Sequence, residues 1–136
     1  MFQLGAGTVA VLAPTNAMAE KAAQELVARG MRAVYMHGRK VDLRTGEVKV
    51  MTIHSAKGLE FPIVVVVGLE EGILPMVPGD ATGDERREYL QAQARLLFVA
   101  MTRAMRGLLV LYSAARPSPF VKLLEPRWWA QEKGAR

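Results

Sequence analysis

Hydrophobic positions fall into two periods that alternate along the chain. Thr8–Ala13 (TVAVLA) is a β-branched apolar run ending at Pro14, which predicts a buried strand. Thr15 or Asn16 can cap a helix that begins near Ala17. In that helix Ala19, Ala22, Ala23, Leu26 and Val27 share one face at three- and four-residue spacing, and Gly30 stops it. Arg32–Met36 predicts a second short strand, and His37–Glu47 a polar loop or hairpin. Val48–Ile53 reads as a third strand and Pro62–Val67 (PIVVVV) as a fourth. The fourth is apolar on both faces, as expected in the middle of a parallel sheet with helices on each side. Glu70–Gly83 is a loop, with three glycines and two prolines. Thr82 and Glu85 have the spacing of a capping box for a helix that reaches about Ala104, with Leu90, Ala94, Leu97 and Met101 in one stripe. Gly107 is expected to break that helix before a fifth strand, Leu108–Tyr112. Ser118–Leu124 predicts a last short helix and Trp128–Arg136 a ragged tail, its Trp128-Trp129 pair packed on the sheet. Strands alternating with helices imply an open, mainly parallel α/β sheet with right-handed crossovers.

Composition narrows the classes. The 136 residues suit one domain, and 51 % apolar residues argue against disorder. The expected division is a domain over residues 1–125 and a C-terminal tail over 126–136. With no cysteine, a disulfide scaffold, a thiol nucleophile and a thiolate metal site are excluded. His37 and His54 are the only histidines, so no multi-histidine metal site is expected either. No apolar run approaches the ~18 residues of a membrane span, and the N-terminus lacks a secretory signal's basic region. The expectation is a cytoplasmic, membrane-free domain. Eighteen basic against thirteen acidic residues give +5, which suits a polyanionic partner. The charge is uneven: Leu69–Leu90 holds six acids and two bases, Arg95–Arg136 eight bases and two acids.

Three nucleotide-binding patterns fail or stay weak. No glycine is followed by Lys and then Ser or Thr, so a P-loop is absent. Gly5-Ala6-Gly7 with Ala10 imitates a dinucleotide fingerprint but precedes its strand instead of following it. Ile63–Val67 followed by Glu70-Glu71 imitates a Mg²⁺-binding strand, without a phosphate cradle to serve. Two segments carry more. Thr52-Ile53-His54-Ser55-Ala56-Lys57-Gly58-Leu59-Glu60-Phe61 leaves a strand through a loop dense in donors, and such loops line the ligand crevice at carboxyl strand ends. Thr, His, Ser and Lys donate to phosphate oxygens, Gly58 admits close backbone approach, and Glu60 accepts from sugar hydroxyls. The plainer reading is a polar turn. In Arg95-Leu96-Leu97-Phe98-Val99-Ala100-Met101-Thr102-Arg103-Ala104, Arg103 falls in the last turn of an apolar helix. It is either a cation at the helix C-terminus or an arginine finger aimed at a transferring γ-phosphate.

Together the segments resemble the UvrD/Rep group of superfamily 1 DNA helicases. The Thr52–Phe61 stretch is close to that group's motif V, and Glu70-Glu71-Gly72-Ile73-Leu74-Pro75 resembles the acidic segment that follows it. Leu97–Ala104 (LFVAMTRA) resembles motif VI, and Val9–Asn16 resembles the strand opening the second RecA-like domain. The resemblance implies a C-terminal, second RecA-like domain: a three-layer α/β fold with an open, mainly parallel sheet and no P-loop of its own. It also implies a part of an ATP-dependent helicase, with ATP and Mg²⁺ held at the interface with an N-terminal RecA-like domain that this chain lacks. Single-stranded DNA would cross both domains. By the same resemblance Arg103 is the finger on the γ-phosphate, Lys57 and Gly58 lie at the phosphates and Glu60 at the ribose. Thr52, His54 and Ser55 would touch the DNA backbone.

The chain departs from the family pattern in lacking the first RecA-like domain, the arginine of motif IV and the long insertion before motif V. About ten residues after His37 stand where that insertion belongs. The expectation is a domain that hydrolyses no ATP alone. The alternative is a nucleic-acid-binding module without ATPase activity.

Overall fold

The structure is a computed structural model that describes residues 5–37 and 42–134. Five strands form one sheet: β1 (Val9–Ala13), β2 (Ala33–Tyr35), β3 (Val48–Thr52), β4 (Phe61–Val66) and β5 (Ala104–Val110). Their order is β2-β3-β1-β4-β5 and every pairing is parallel. The apolar β4 is interior, between β1 and β5, as its two-faced hydrophobicity predicts. Two helices, α1 (Asn16–Ala28) and α2 (Gly83–Met101), complete the layers. None of the described helices is long and apolar enough to cross a membrane.

Chain direction sets the layers. From β1 the chain steps one way to β2, then crosses back past β1 to β4 and on to β5. Right-handed crossovers with opposite steps must lie on opposite faces. Accordingly Ala19 and Ala23 of α1 pack with Val11, Ala13, Val48 and Val50 on one face. Leu97 and Ala100 of α2, with Ile53 and Ala56 of the β3–β4 connection, pack with Leu12, Met51, Val64 and Val66 on the other.

Several boundaries differ from expectation. α2 ends at Met101 and β5 starts at Ala104, four residues before the predicted strand. Pairing with β4 captures this stretch: Phe61 N–H donates to Arg103 O at 2.8 Å and Ala104 lies opposite Phe61. Gly107 is therefore a strand residue opposite Ile63, not a helix breaker. Thr82 stands at the α2 N-cap without a side-chain cap bond, because Gly83 turns the chain through φ +58° where a capping box needs helical backbone. Thr15 does cap α1, its hydroxyl accepting from Met18 N–H. Val27 lies outside the buried stripe, a 100° step round from Leu26. The predicted last helix is a 3₁₀ turn, Pro119–Leu123, capped by buried Ser118, whose hydroxyl also donates to Leu74 O. Trp128 is 75 % exposed, against the expected packing on the sheet; its ring lies by the Arg127 guanidinium, 5.4 Å from the centroid. In the expected 37–47 loop, residues 38–41 lie outside the described residues, as do residues 135 and 136 of the tail.

Two features fall outside the hydrophobic pattern. Lys49 in β3 is 1 % exposed, and its ammonium donates to the carbonyls of Gly7 (2.9 Å), Thr45 (3.0 Å) and Glu47 (3.5 Å). On the α1 side, none of the described helices covers β4 and β5. There a groove of about 600 Å³ is lined by Val9, Val11, Leu26, Val65, Val67 and Leu111, with Leu109 53 % exposed.

Candidate functional site

Residues 53–60 join β3 to its parallel neighbour-but-one, so they must carry the chain from the carboxyl edge of the sheet back to the amino edge. Their first six residues form tight turns. Ala56 N–H donates to Thr52 O and Ile53 O at 3.2 Å, Lys57 N–H to His54 O at 3.3 Å, and Leu59 N–H to Ala56 O at 2.9 Å. In a 3₁₀ geometry residues three apart eclipse. Ile53, Ala56 and Leu59 thus form an inward row, the first two fully buried. His54, Lys57 and Glu60 form the outward row, and all three are exposed. Gly58 turns the chain at φ +83°, where a Cβ would be strained.

The crossover divides the predicted residues. Thr52, His54 and Ser55 stand at the carboxyl edge, where Thr52 is the register partner of Ala13. The Thr52 hydroxyl, 8 % exposed with its residue, donates to Ser55 Oγ at 3.0 Å and accepts from Ser55 N–H at 3.1 Å. It shapes the loop, leaving His54 and half-buried Ser55 toward solvent. Glu60 adjoins Phe61, whose N–H donates to Arg103 O, so Glu60 and Arg103 both stand at the amino edge. The whole loop is thus not at the carboxyl edge, as expected; only its first third is. Length decides this, since β4 must start level with β5 and six strand residues extend ~20 Å.

Arg103 lies just beyond α2, not in its last turn. Its Nε donates to Val99 O at 3.2 Å and its Nη2 to the Thr102 hydroxyl at 3.3 Å. These bonds engage two of the five N–H donors of a guanidinium and place the cation where the α2 C-terminal carbonyls favour it. Phe98 and Met105, 62 % and 57 % exposed, put apolar surface on either side of Arg103 in the chain.

Sequence reasoning passed over a second polar group at the carboxyl edge. Tyr35 Oη donates to Asn16 Oδ1 at 3.0 Å and lies 3.0 Å from His37 Nδ1. A histidine two residues past a β-strand was the available signal. The charge shift outside the site is local: a hydrogen bond from Arg44 holds the exposed Asp42 carboxyl below its ordinary value, and Asp42 raises Arg44 in return. Among the described residues no cluster of His, Asp or Glu could hold a metal.

A five-stranded parallel sheet in this order, with helices on both faces, is the architecture of a RecA-like α/β domain. A solved C-terminal domain of a possible DNA helicase from Lactobacillus plantarum WCFS1 superposes with a TM-score of 0.63 at 24 % identity, covering 89 % of this chain and 65 % of that one. Residues 34–115 match the UvrD-like helicase C-terminal domain, and the chain belongs to that family. It is 40 % identical over 91 residues to the ATP-dependent DNA helicase PcrA of Leuconostoc citreum, covering 60 % of this chain and 12 % of the relative. It is 48 % identical over 69 residues to DNA helicase II of Escherichia coli K12, covering 51 % and 9 %. The chain thus spans about a tenth of the length of the curated relatives it matches.

Proposed function

We propose that this domain is the C-terminal half of an ATP-driven, single-stranded-DNA motor, completing a nucleotide site at its amino edge and holding DNA at its carboxyl edge. The carrying observation is the crossover: one short segment leaves Thr52, His54 and Ser55 at the carboxyl edge and runs through Lys57 and Gly58 to Glu60, next to the Phe61 N–H that donates to Arg103 O. Cation, open backbone and carboxylate together fit half of a nucleoside triphosphate site, for phosphate and ribose respectively. They do not fit Mg²⁺, which the partner domain and the phosphates must hold. ATP supplies the hydrolysable γ-phosphoryl group when bound; this chain supplies Arg103 to the charge that develops on it. Phe98 and Met105 offer apolar surface for the N-terminal RecA-like domain to cover. The domain alone hydrolyses no ATP, having no phosphate cradle.

The test is Arg103→Lys in the polypeptide that includes the N-terminal domain. An arginine finger contributes ~10³–10⁵ in rate, or ~4–7 kcal/mol of barrier, and a lysine point charge does not reproduce its fork. DNA-stimulated ATPase should collapse with oligonucleotide binding and melting temperature retained. Activity within tenfold of wild type leaves Arg103 as a helix-terminal cation. DNA binding that ignores nucleotide in both proteins favours the simple binding module.

A further inference from the structure

The Tyr35–His37–Asn16 group lies at the same carboxyl edge as Thr52, where the motif V loop leaves the sheet. Tyr35 is the register partner of Val50, and Met36 N–H donates to Val50 O at 2.8 Å, carrying the pairing one residue past β2. That sets His37 about level with Thr52, one strand spacing of ~5 Å away. Side chains alternate along a strand, so Thr52 points to the same face as Val48 and Val50, and His37 to the same face as Tyr35. That face is the α1 side, where Tyr35, Val48, Val50 and Ala13 cluster. Asn16 opens α1 at the same edge.

The exposed polar groups at this edge suit a phosphodiester chain. His37 and Asn16 are exposed while Tyr35 is half-buried, its ring tilted 51° to that of His37 with centroids 6.0 Å apart. The tyrosine hydroxyl bonds both Asn16 Oδ1 and His37 Nδ1, the imidazole tautomer setting which partner donates in the second contact. That leaves Nε2 as the imidazole nitrogen turned outward. Tyr35 and Asn16 therefore fix a ring whose outer edge is presented to a phosphate oxygen at this edge of the sheet.

We propose that His37 is a further single-stranded nucleic-acid contact, binding the phosphate next to the one held at His54 and Ser55, with Tyr35 as its positioning residue. The proposal rests on the carboxyl-edge DNA reading above and extends the track from β3 to the edge strand β2.

The experiment is fluorescence anisotropy of labelled oligo-dT, in a series of lengths at fixed low salt, with His37→Ala, Tyr35→Phe and His54→Ala. One hydrogen bond to a charged group is worth a factor of about ten or somewhat more. His37→Ala should weaken binding about tenfold, and its affinity should stop rising with oligonucleotide length one nucleotide earlier than wild type. Tyr35→Phe should weaken binding several-fold with an unchanged melting temperature; a lowered melting temperature with unchanged affinity would make Tyr35 merely structural and overturn its role. His37→Ala within twofold of wild type, while His54→Ala loses affinity, overturns the inference and leaves the motif V contact standing. Loss in neither variant removes the carboxyl-edge reading and this extension together.

Discussion

Replacing Lys49 by methionine tests what holds the amino edge together. The two side chains have similar length, and both bury an apolar stem against the sheet, so the transfer term nearly cancels. The ammonium carries a desolvation cost of several kcal/mol on folding, which its bonds to the Gly7, Thr45 and Glu47 carbonyls offset. In Lys49→Met both the cost and the bonds disappear. The carbonyls stay behind, facing a thioether. Two of them were held at 2.9 and 3.0 Å, and the third at 3.5 Å was marginal. An orphaned buried acceptor costs ~1–3 kcal/mol, so two give a loss of ~2–6 kcal/mol. At this chain length that is a fall of about 10 °C or more in melting temperature. Urea unfolding gives the free energy directly, and hydrogen exchange should show earlier opening around residues 45–47 than around β4. A variant that melts within 2 °C of wild type, or above it, would refute the claim that the carbonyl cage depends on the charge.

Two further substitutions probe the fold. Gly68 has φ +84°, and a Cβ there would lie 2.7 Å from Pro14 Cδ, so Gly68→Ala should cost ~2–4 kcal/mol in urea unfolding; Gly107→Ala, whose Cβ would meet Ile63 at an ordinary 3.5 Å, should stay within ~1 kcal/mol, and equal losses would contradict this geometry. Ser118→Ala removes the cap on Phe120 N–H and the donor to Leu74 O, an expected loss of ~1–3 kcal/mol with faster amide exchange at residues 70–74; unchanged exchange there would show that Ser118 does not tie that loop.

Much of the sheet was legible because parallel strands write their burial into long β-branched runs. The run PIVVVV alone placed β4 inside, since an edge or half-solvated strand would alternate with polar residues. Where tertiary pairing overrides local preference the reading failed. Ala104 to Arg106 look helical in isolation and become strand only because β4 offers unpaired groups. Motif resemblance found the crossover residues but not its path, which depends on how far β4 must start from the end of β3. Lys49 carried a signal that was overlooked: in VKVMT it shares the period-two face of Met51, a core position. His37 reads as the start of a loop, since nothing local shows that its strand ends beside Thr52.

The crossover has one mechanical property that its chemistry does not express. Six residues at the 3₁₀ rise of ~2 Å span ~12 Å, and two extended residues add ~7 Å. With the step into Phe61 the sum nearly equals the ~22 Å that separates the strand ends, ~20 Å along β4 and ~10 Å sideways past β1. It is a strut without slack, pinned along its length by Ile53, Ala56 and Leu59. An ångström of displacement imposed at Ser55 has no loop in which to dissipate and must reappear at Glu60. One inserted residue would turn this pushrod into a rope.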